Sequence, residues 1–405
     1  MNQLARYSPG SAEYRRLLIA MFCAGLATFA QLYAPQSVLP AIAAGINVSV
    51  DTAVLTISAA TAGLALSALG WAWLADRFGR ARIMLWALPC ATVLGLLSPH
   101  LKPYSLLLVV RFIEGCFLAG VAAVAVSYIV SITTVTARSA AAGIFISGTS
   151  LGGLAGRLVS GFVAQFFSWQ AALTSVSVLA MAATLTFYLL LPRVQEHPRN
   201  ASAHASQFMR QHLRNPVLMG LYLAVFLLMG AFVSIYNYLT FRLEAQPFAL
   251  PVALVSLLFC AYLLGTFSST YATSLVKKYR FGQVFGTAVG LTVLGILLTL
   301  SSSLVVIIAG LATLTTGFFA AHALASAQVG IIAATGRTQA TALYNVFYYA
   351  GSAVVGWLMG LLYVQAGWLA VALACAACVL AAGLLVANTW RPPTKNPAPP
   401  ATPTS

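Results

Sequence analysis

Charge is the scarcest commodity in this 405-residue sequence: Asp, Glu, Lys and Arg together make up 7% of it, and only six residues are acidic. An average soluble domain carries about 25% charged residues, so water is excluded as the main solvent. The only aspartates, Asp51 and Asp76, lie near the ends of apolar runs, which excludes an aspartyl pair buried in a membrane. The sequence also has no HExxH, no GxSxG and no GxxxxGK[ST], leaving a zinc protease, a serine hydrolase and an ATP-driven pump without support. No enzyme, cofactor or metal site is expected. The six cysteines, Cys23, Cys90, Cys116, Cys260, Cys375 and Cys378, all fall in apolar stretches, where they act as small hydrophobic residues rather than a disulfide framework. Cys375-x-x-Cys378 sits inside an alanine-rich run without a βαβ context, so it predicts no redox or metal function. A cleavable leader is missing as well: residues 1–16 are polar, and the apolar run over 17–40 is too long for a signal-peptide core.

What is present is hydrophobic, 60% of the chain. A helix crossing a bilayer needs about 20 apolar residues, and the apolar runs predict twelve: 17–40, 52–75, 83–99, 103–131, 140–165, 170–191, 215–242, 251–274, 284–301, 304–332, 340–364 and 368–388. The expected fold class is therefore an all-α integral membrane protein. The net charge of +15 would suggest anionic partners in a soluble protein, but here its placement matters more. With the N-terminus inside, seventeen basic residues, among them Arg77, Arg80, Arg82, Arg138, Lys277, Lys278, Arg280 and Arg337, fall on the cytoplasmic side, and only Lys102 and Arg242 fall opposite. The positive-inside rule then puts both termini in the cytoplasm of a multi-pass bacterial inner-membrane protein.

The chain repeats itself faintly at one offset. Phe29-x-x-Leu-Tyr33 matches Phe232-x-x-Ile-Tyr236, Arg77-Phe78-Gly79 matches Arg280-Phe281-Gly282, and Gly148 matches Gly351, each pair 203 residues apart. Three matches at one offset predict a duplicated six-helix unit with a site between the halves. The expected organisation is an N-terminal half over 1–191, a cytoplasmic linker over 192–214, a C-terminal half over 215–390 and a disordered Pro- and Thr-rich cytoplasmic tail over 391–405.

Between the second and third spans lies Ala72-Trp73-Leu74-Ala75-Asp76-Arg77-Phe78-Gly79-Arg80-Ala81-Arg82. It resembles the signature GxLaDRxGRK of the major facilitator superfamily, with Ala72 for the first glycine and Ala81 for a basic residue. The resemblance implies a gating role for Asp76, Arg77, Gly79 and Arg80, in which the carboxylate braces the halves near the N-terminal end of the eleventh helix when the protein is open outward. Arg111-Phe112-Ile113-Glu114-Gly115 matches that family's RxxxG on the fourth helix. Gly148-x-x-x-Gly152-Gly153-x-x-Gly156-Arg157 partly matches the exporters' GxxxGPxxGG on the fifth, with Gly153 for the proline and Arg157 for the last glycine. Glycines four apart suit close helix packing, which is the role expected of Gly148, Gly152, Gly153 and Gly156. Within the superfamily the chain is most similar to the YnfM-like branch of drug- and arabinose-efflux-type permeases, through segments including Phe232-Val-Ser-Ile-Tyr-Asn-Tyr238 and Gly317-Phe-Phe-Ala-Ala-His322. Twelve helices in two six-helix pseudo-repeats, the major facilitator fold, are what that resemblance implies.

An ionisable residue inside a span is costly, about 2.5–3.5 kcal/mol on insertion scales, and usually serves a pathway or a partner. Arg111 and Arg157 each lie eight residues, roughly 12 Å, from the same membrane face on antiparallel helices, and Glu114 lies slightly deeper. The three are expected to meet, with Glu114 either carrying a proton or serving as a static counter-ion. His322 is expected to be a core histidine rather than a relay. Gln31, Tyr33, Gln36, Tyr236, Asn237, Tyr238, Tyr344, Asn345, Tyr348 and Tyr349 combine aromatic faces with hydrogen-bonding tips and are the expected cavity lining. Together with the resemblance they predict a monomeric secondary transporter whose partners are a small-molecule substrate, protons and the lipid bilayer, without nucleic acid. Proton-coupled export is favoured; proton-coupled uptake and a non-transporting membrane sensor are the alternatives.

Overall fold

The computed structural model describes residues 7–192, 205–333 and 335–390. The expected tail over 391–405, most of the expected linker (193–204) and the basic residues Arg6, Arg193, Arg199, Arg391 and Lys395 lie outside the described residues.

Eleven helices are long and apolar enough to span a membrane: Ala12–Ile46, Val50–Phe78, Arg80–His100, Tyr104–Ile132, Arg138–Phe166, Trp169–Leu190, Pro216–Glu244, Val252–Leu275, Phe281–Leu298, Leu304–Ile332 and Arg337–Thr389. The last is 53 residues long and is broken by Gly367 at φ 71°, ψ −168°, a conformation open to glycine and strained for other residues. Divided there, it supplies the two final spans, and they are numbered here 1 to 12.

Capping sets several of the ends. Ser11 accepts a hydrogen bond from Tyr14 N at the start of span 1 and Ser168 from Ala171 N at the start of span 6. Asn215 accepts from Val217 N and Leu218 N, with Pro216 in the first turn, where its missing N–H costs nothing. Span 1 starts five residues before the expected position 17, since the polar Glu13, Arg15 and Arg16 form its first turn. The linker also differs from expectation, because it contains a helix, Ala205–Arg214. His212 on that helix is buried, with Nε2 3.1 Å from the Gly336 carbonyl oxygen. Apolar content too low for a span hid it from a search based on hydrophobic runs.

Spans 1–6 pack on one another, as do spans 7–12. Matching glycines make a close joint in each half. A Cβ on Gly148 of span 5 would collide with the Phe22 carbonyl of span 1, and one on Gly351 of span 11 with the Phe226 carbonyl of span 7. The repeat seen in sequence is thus a repeat of contacts. At one end of the bundle, the terminal end, Tyr7 N donates to Ile132 O and Trp390 stacks on Phe281, each within its own half. At the opposite, far end the halves touch. Ala253 N of span 8 donates to Gln165 Oε1 of span 5, a Cβ on Gly161 would meet Ser256, and one on Gly360 of span 11 would meet Asp51 of span 2.

Candidate functional site

Pro35 shapes the first part of the site. Span 1 passes from α-helix into a 3-10 turn over Ala34–Val38, and because proline has no N–H, the Gln31 carbonyl loses its helical donor. Arg111 of span 4 supplies the replacement. Its guanidinium donates to Gln31 O at 3.4 Å, Leu32 O at 3.1 Å, Thr56 O of span 2 at 3.1 Å and Glu114 Oε2 at 2.7 Å. Arg111 is 3% exposed and Glu114 fully buried. The pair is one helical turn apart on one face, as the sequence predicts.

The other oxygen of Glu114 has no donor, and neither does Gln31 Oε1. The Gln31 amide cannot simply turn over, since its Nε2 already donates to Ala27 O at 3.0 Å and Thr92 Oγ1 at 3.3 Å. Both orphan oxygens converge on Gly95 of span 3, where a Cβ would stand 2.6 Å from Gln31 Oε1 and 3.2 Å from Glu114 Oε1. Ser177 Oγ stands at the same 3.2 Å from that position but donates to the Leu173 carbonyl at 3.0 Å, so the two buried acceptors share a small space without a hydrogen bond to either. Gln31, expected in a cavity between the halves, belongs instead to this cluster inside the first half.

Arg157 does not join it. The described residues hold two ion pairs, Arg111–Glu114 and Arg80–Asp76, and Arg157 is in neither. It points between the halves, 3% exposed. Its Nε donates to Gln36 Oε1 at 2.7 Å, one terminal nitrogen to Gly153 O at 2.7 Å and the other to Tyr262 OH at 3.5 Å. Its carbon Cζ lies 4.5 Å from the ring centre of Tyr33, 4.7 Å from Tyr262 and 5.0 Å from Phe259. Gln36 in turn donates to Asn237 Oδ1 of span 7 at 2.6 Å, so a polar chain crosses from one half to the other.

The fifth-helix glycines divide accordingly. Gly148, Gly152 and Gly156 press against the carbonyls of Phe22, Leu26 and Ala30 on span 1, a ladder with a step of four. Gly153, expected to pack with them, faces Arg157 instead, and a Cβ there would meet only that guanidinium.

Aromatic side chains extend the site through the second half. Tyr236 OH is 2.7 Å from Thr315 Oγ1, and its ring stacks on Phe259. Tyr344 OH is 3.0 Å from His322 Nδ1, and the Tyr348 ring centre is 4.9 Å from that of His322. Tyr348 packs edge to face on Tyr349, both within electrostatic range of Tyr33 in the other half. Tyr238 donates to the Gly356 carbonyl instead, at the joint between spans 7 and 11. Asn345 is exposed on span 11. Phe259 and Tyr262 escaped the sequence reading: the repeat offset places them opposite Thr56 and Ala59, which carry no corresponding signal.

At the terminal end Gly79 turns the chain between spans 2 and 3 at φ 93°. Asp76 accepts from Arg80 at 3.0 Å, and Arg77 lies over the rings of Trp73 and Phe78. Asp76 follows Ser58 by five helical turns and so lies on the same face of span 2. At Ser58 that face meets Gly356 of span 11, whereas Asp76 binds within its own loop.

Comparison with known proteins agrees with this architecture. The family model described as Major Facilitator Superfamily matches residues 17–336. The inner membrane transport protein YnfM of Escherichia coli (strain K12) is 37% identical over 361 residues, covering 89% of this chain and 87% of that protein. The uncharacterized MFS-type transporter YybF of Bacillus subtilis (strain 168) is 34% identical over 364 residues, covering 89% and 90%. Among solved structures, the nucleoside transporter NupG superposes with a TM-score of 0.75 at 12% identity, covering 93% of this chain and all of that one, a likeness of fold.

Proposed function

This chain belongs to the major facilitator superfamily, and we propose that it is a secondary active transporter that exports a small organic molecule in exchange for protons by alternating access. It is a multi-pass membrane protein whose relatives are transporters. One observation carries the coupling. Glu114 Oε1 and Gln31 Oε1 are buried acceptors without a donor, the neighbouring Ser177 hydroxyl being turned to the Leu173 carbonyl, and a proton on Glu114 supplies a hydrogen for the pair. Arg111 tolerates the change, because three backbone carbonyls still receive its N–H groups when the carboxylate is neutral. In reconstituted vesicles the expected result is substrate flux that follows the sign of an imposed pH gradient; flux indifferent to that gradient contradicts the proposal.

Sidedness follows from the charge distribution. Arg242, one of two basic residues at the far end, donates to the carbonyls of Thr299, Leu300 and Ser301 and so caps span 9, which leaves that end poor in free positive charge. The terminal end is therefore assigned to the cytoplasm of the inner membrane. Cysteine placed at Ser302 is expected to react with an impermeant thiol reagent in intact spheroplasts, and cysteine at Ser8 only after the membrane is opened. The reverse pattern would invert the topology.

With the halves joined at the far end, the state described is closed on that side. Asp76 is then the half of a brace that engages span 11 when the protein turns outward, as the family signature implies. Asp76→Asn keeps the shape and removes the charge. It is expected to slow transport several-fold with little change in protein yield, measured as initial rate per milligram of purified protein. A rate equal to wild type would reduce the motif to a loop.

Export is favoured by the glycine ladder of span 5, which resembles the exporters' motif. Gly153 and Arg157, where that pattern is broken, favour proton-coupled uptake as the second reading. The direction in which an outward-acid gradient moves substrate separates the two.

A further inference from the structure

Arg157 places a positive charge between the halves, and among the described residues no carboxylate forms an ion pair with it. The guanidinium of Arg157 has five N–H donors. Two are well used, toward Gln36 and Gly153, and a third makes only the 3.5 Å contact with Tyr262. Among the described residues the two paired carboxylates are engaged by other arginines, Glu114 by Arg111 and Asp76 by Arg80. The remaining polar partners, Gln36, Asn237 and the tyrosine hydroxyls, are neutral. A buried cation with unspent donors is costly and is relieved by an anion.

Two further features bear on what that anion is. Arg157 already covers the rings of Tyr33, Tyr262 and Phe259, so a cationic ligand would meet like charge and occupied ring faces. Tyr348 and Tyr349 of span 11 lie within electrostatic range of Tyr33, packed edge to face on each other, and Tyr348 is only half-buried. Their faces suit a flat, unsaturated body next to the charge.

Resting on the transport reading above, we propose that the transported molecule is an organic anion with a planar, aromatic-type body, its carboxylate held by Arg157 and its ring set against Tyr348 and Tyr349. Arginine suits this role better than lysine, because its fork meets both carboxylate oxygens.

The test is thermal unfolding of the purified full-length protein with benzoate, acetate, benzamide and benzylammonium at matched concentrations. Benzoate is expected to raise the unfolding temperature most and acetate less, while benzamide and benzylammonium leave it unchanged. Arg157→Lys is expected to weaken the benzoate effect on the order of ten-fold, as for loss of one charge-assisted hydrogen bond, and Arg157→Gln to abolish it. Should Arg157→Gln fail to fold, the benzoate-over-benzamide preference of Arg157→Lys decides, and its reduction on the order of ten-fold supports the assignment. Equal stabilisation by benzamide or benzylammonium overturns it. So does a benzoate effect undiminished in Arg157→Lys, or no response to either carboxylate. Flux of radiolabelled benzoate is scored separately: benzoate binding without flux defeats the transport reading and leaves the anion site standing, and flux of another compound with no carboxylate binding does the opposite.

Discussion

Glu114→Gln is expected to yield folded protein that exchanges substrate between the two faces of the membrane yet no longer accumulates it against a gradient. One pH unit is worth about 1.36 kcal/mol per proton, so one-for-one coupling supports roughly ten-fold accumulation per unit in the wild type. In the variant that ratio should fall to about one. Folding survives for two reasons. Arg111 retains the carbonyls of Gln31, Leu32 and Thr56, and the new amide is a permanent donor for the orphan oxygen of Gln31. A variant that still accumulates substrate in step with the pH gradient would remove Glu114 from the proton path. A variant that cannot be purified would make it a structural counter-ion.

Arg111→Leu should have the opposite character. It strips Glu114 of its ion-pair partner and returns the Gln31 carbonyl, already deprived of a helical donor by Pro35, to a buried orphan. Each buried polar group left without its partner costs about 1–3 kcal/mol, so leaving the Gln31, Leu32 and Thr56 carbonyls and the Glu114 carboxyl without Arg111 removes a large part of the roughly 5–15 kcal/mol that holds a typical domain together. The expected result is loss of most monodisperse protein on size-exclusion chromatography. Arg111→Lys should recover only part of it, because a point charge cannot reach the carboxylate and carbonyls on three helices together. Adding Glu114→Leu to Arg111→Leu should relieve the orphaned carboxyl group and leave the carbonyl defect. Normal yield from the single Arg111→Leu variant would show that this knot contributes little to folding.

The contrast between these two variants bears on what could be seen in the sequence. The spans were legible because length and apolarity suffice to define them, and even the final 53-residue helix divides at Gly367, between the two expected spans. The Arg111–Glu114 pair was legible because residues three apart on one helix must share a face. The place of Arg157 was not. Counting residues from a helix end gives depth but not direction around the axis, so two arginines at equal depth were expected to meet although they face different compartments. Gln31 and Gln36 show the same limit. Five residues apart, they lie on different sides of span 1, one toward Gly95 inside the first half and the other toward Asn237 in the second. Gly153 was grouped with its neighbours by spacing, yet it lies one position off the ladder of Gly148, Gly152 and Gly156.

A protonated Glu114 in the state closed at the far end is the claim on which the coupling rests, and infrared difference spectroscopy tests it without knowledge of the substrate. Purified wild-type protein at neutral pH is compared with Glu114→Gln in the region of the carboxylic-acid C=O stretch, apart from the carboxylate bands. The account predicts an absorption in the wild type that is insensitive to modest changes in bulk pH, shifts on isotopic exchange in heavy water and is missing from the variant. Identical wild-type and variant spectra in that region, with the difference confined to the carboxylate bands, would contradict it.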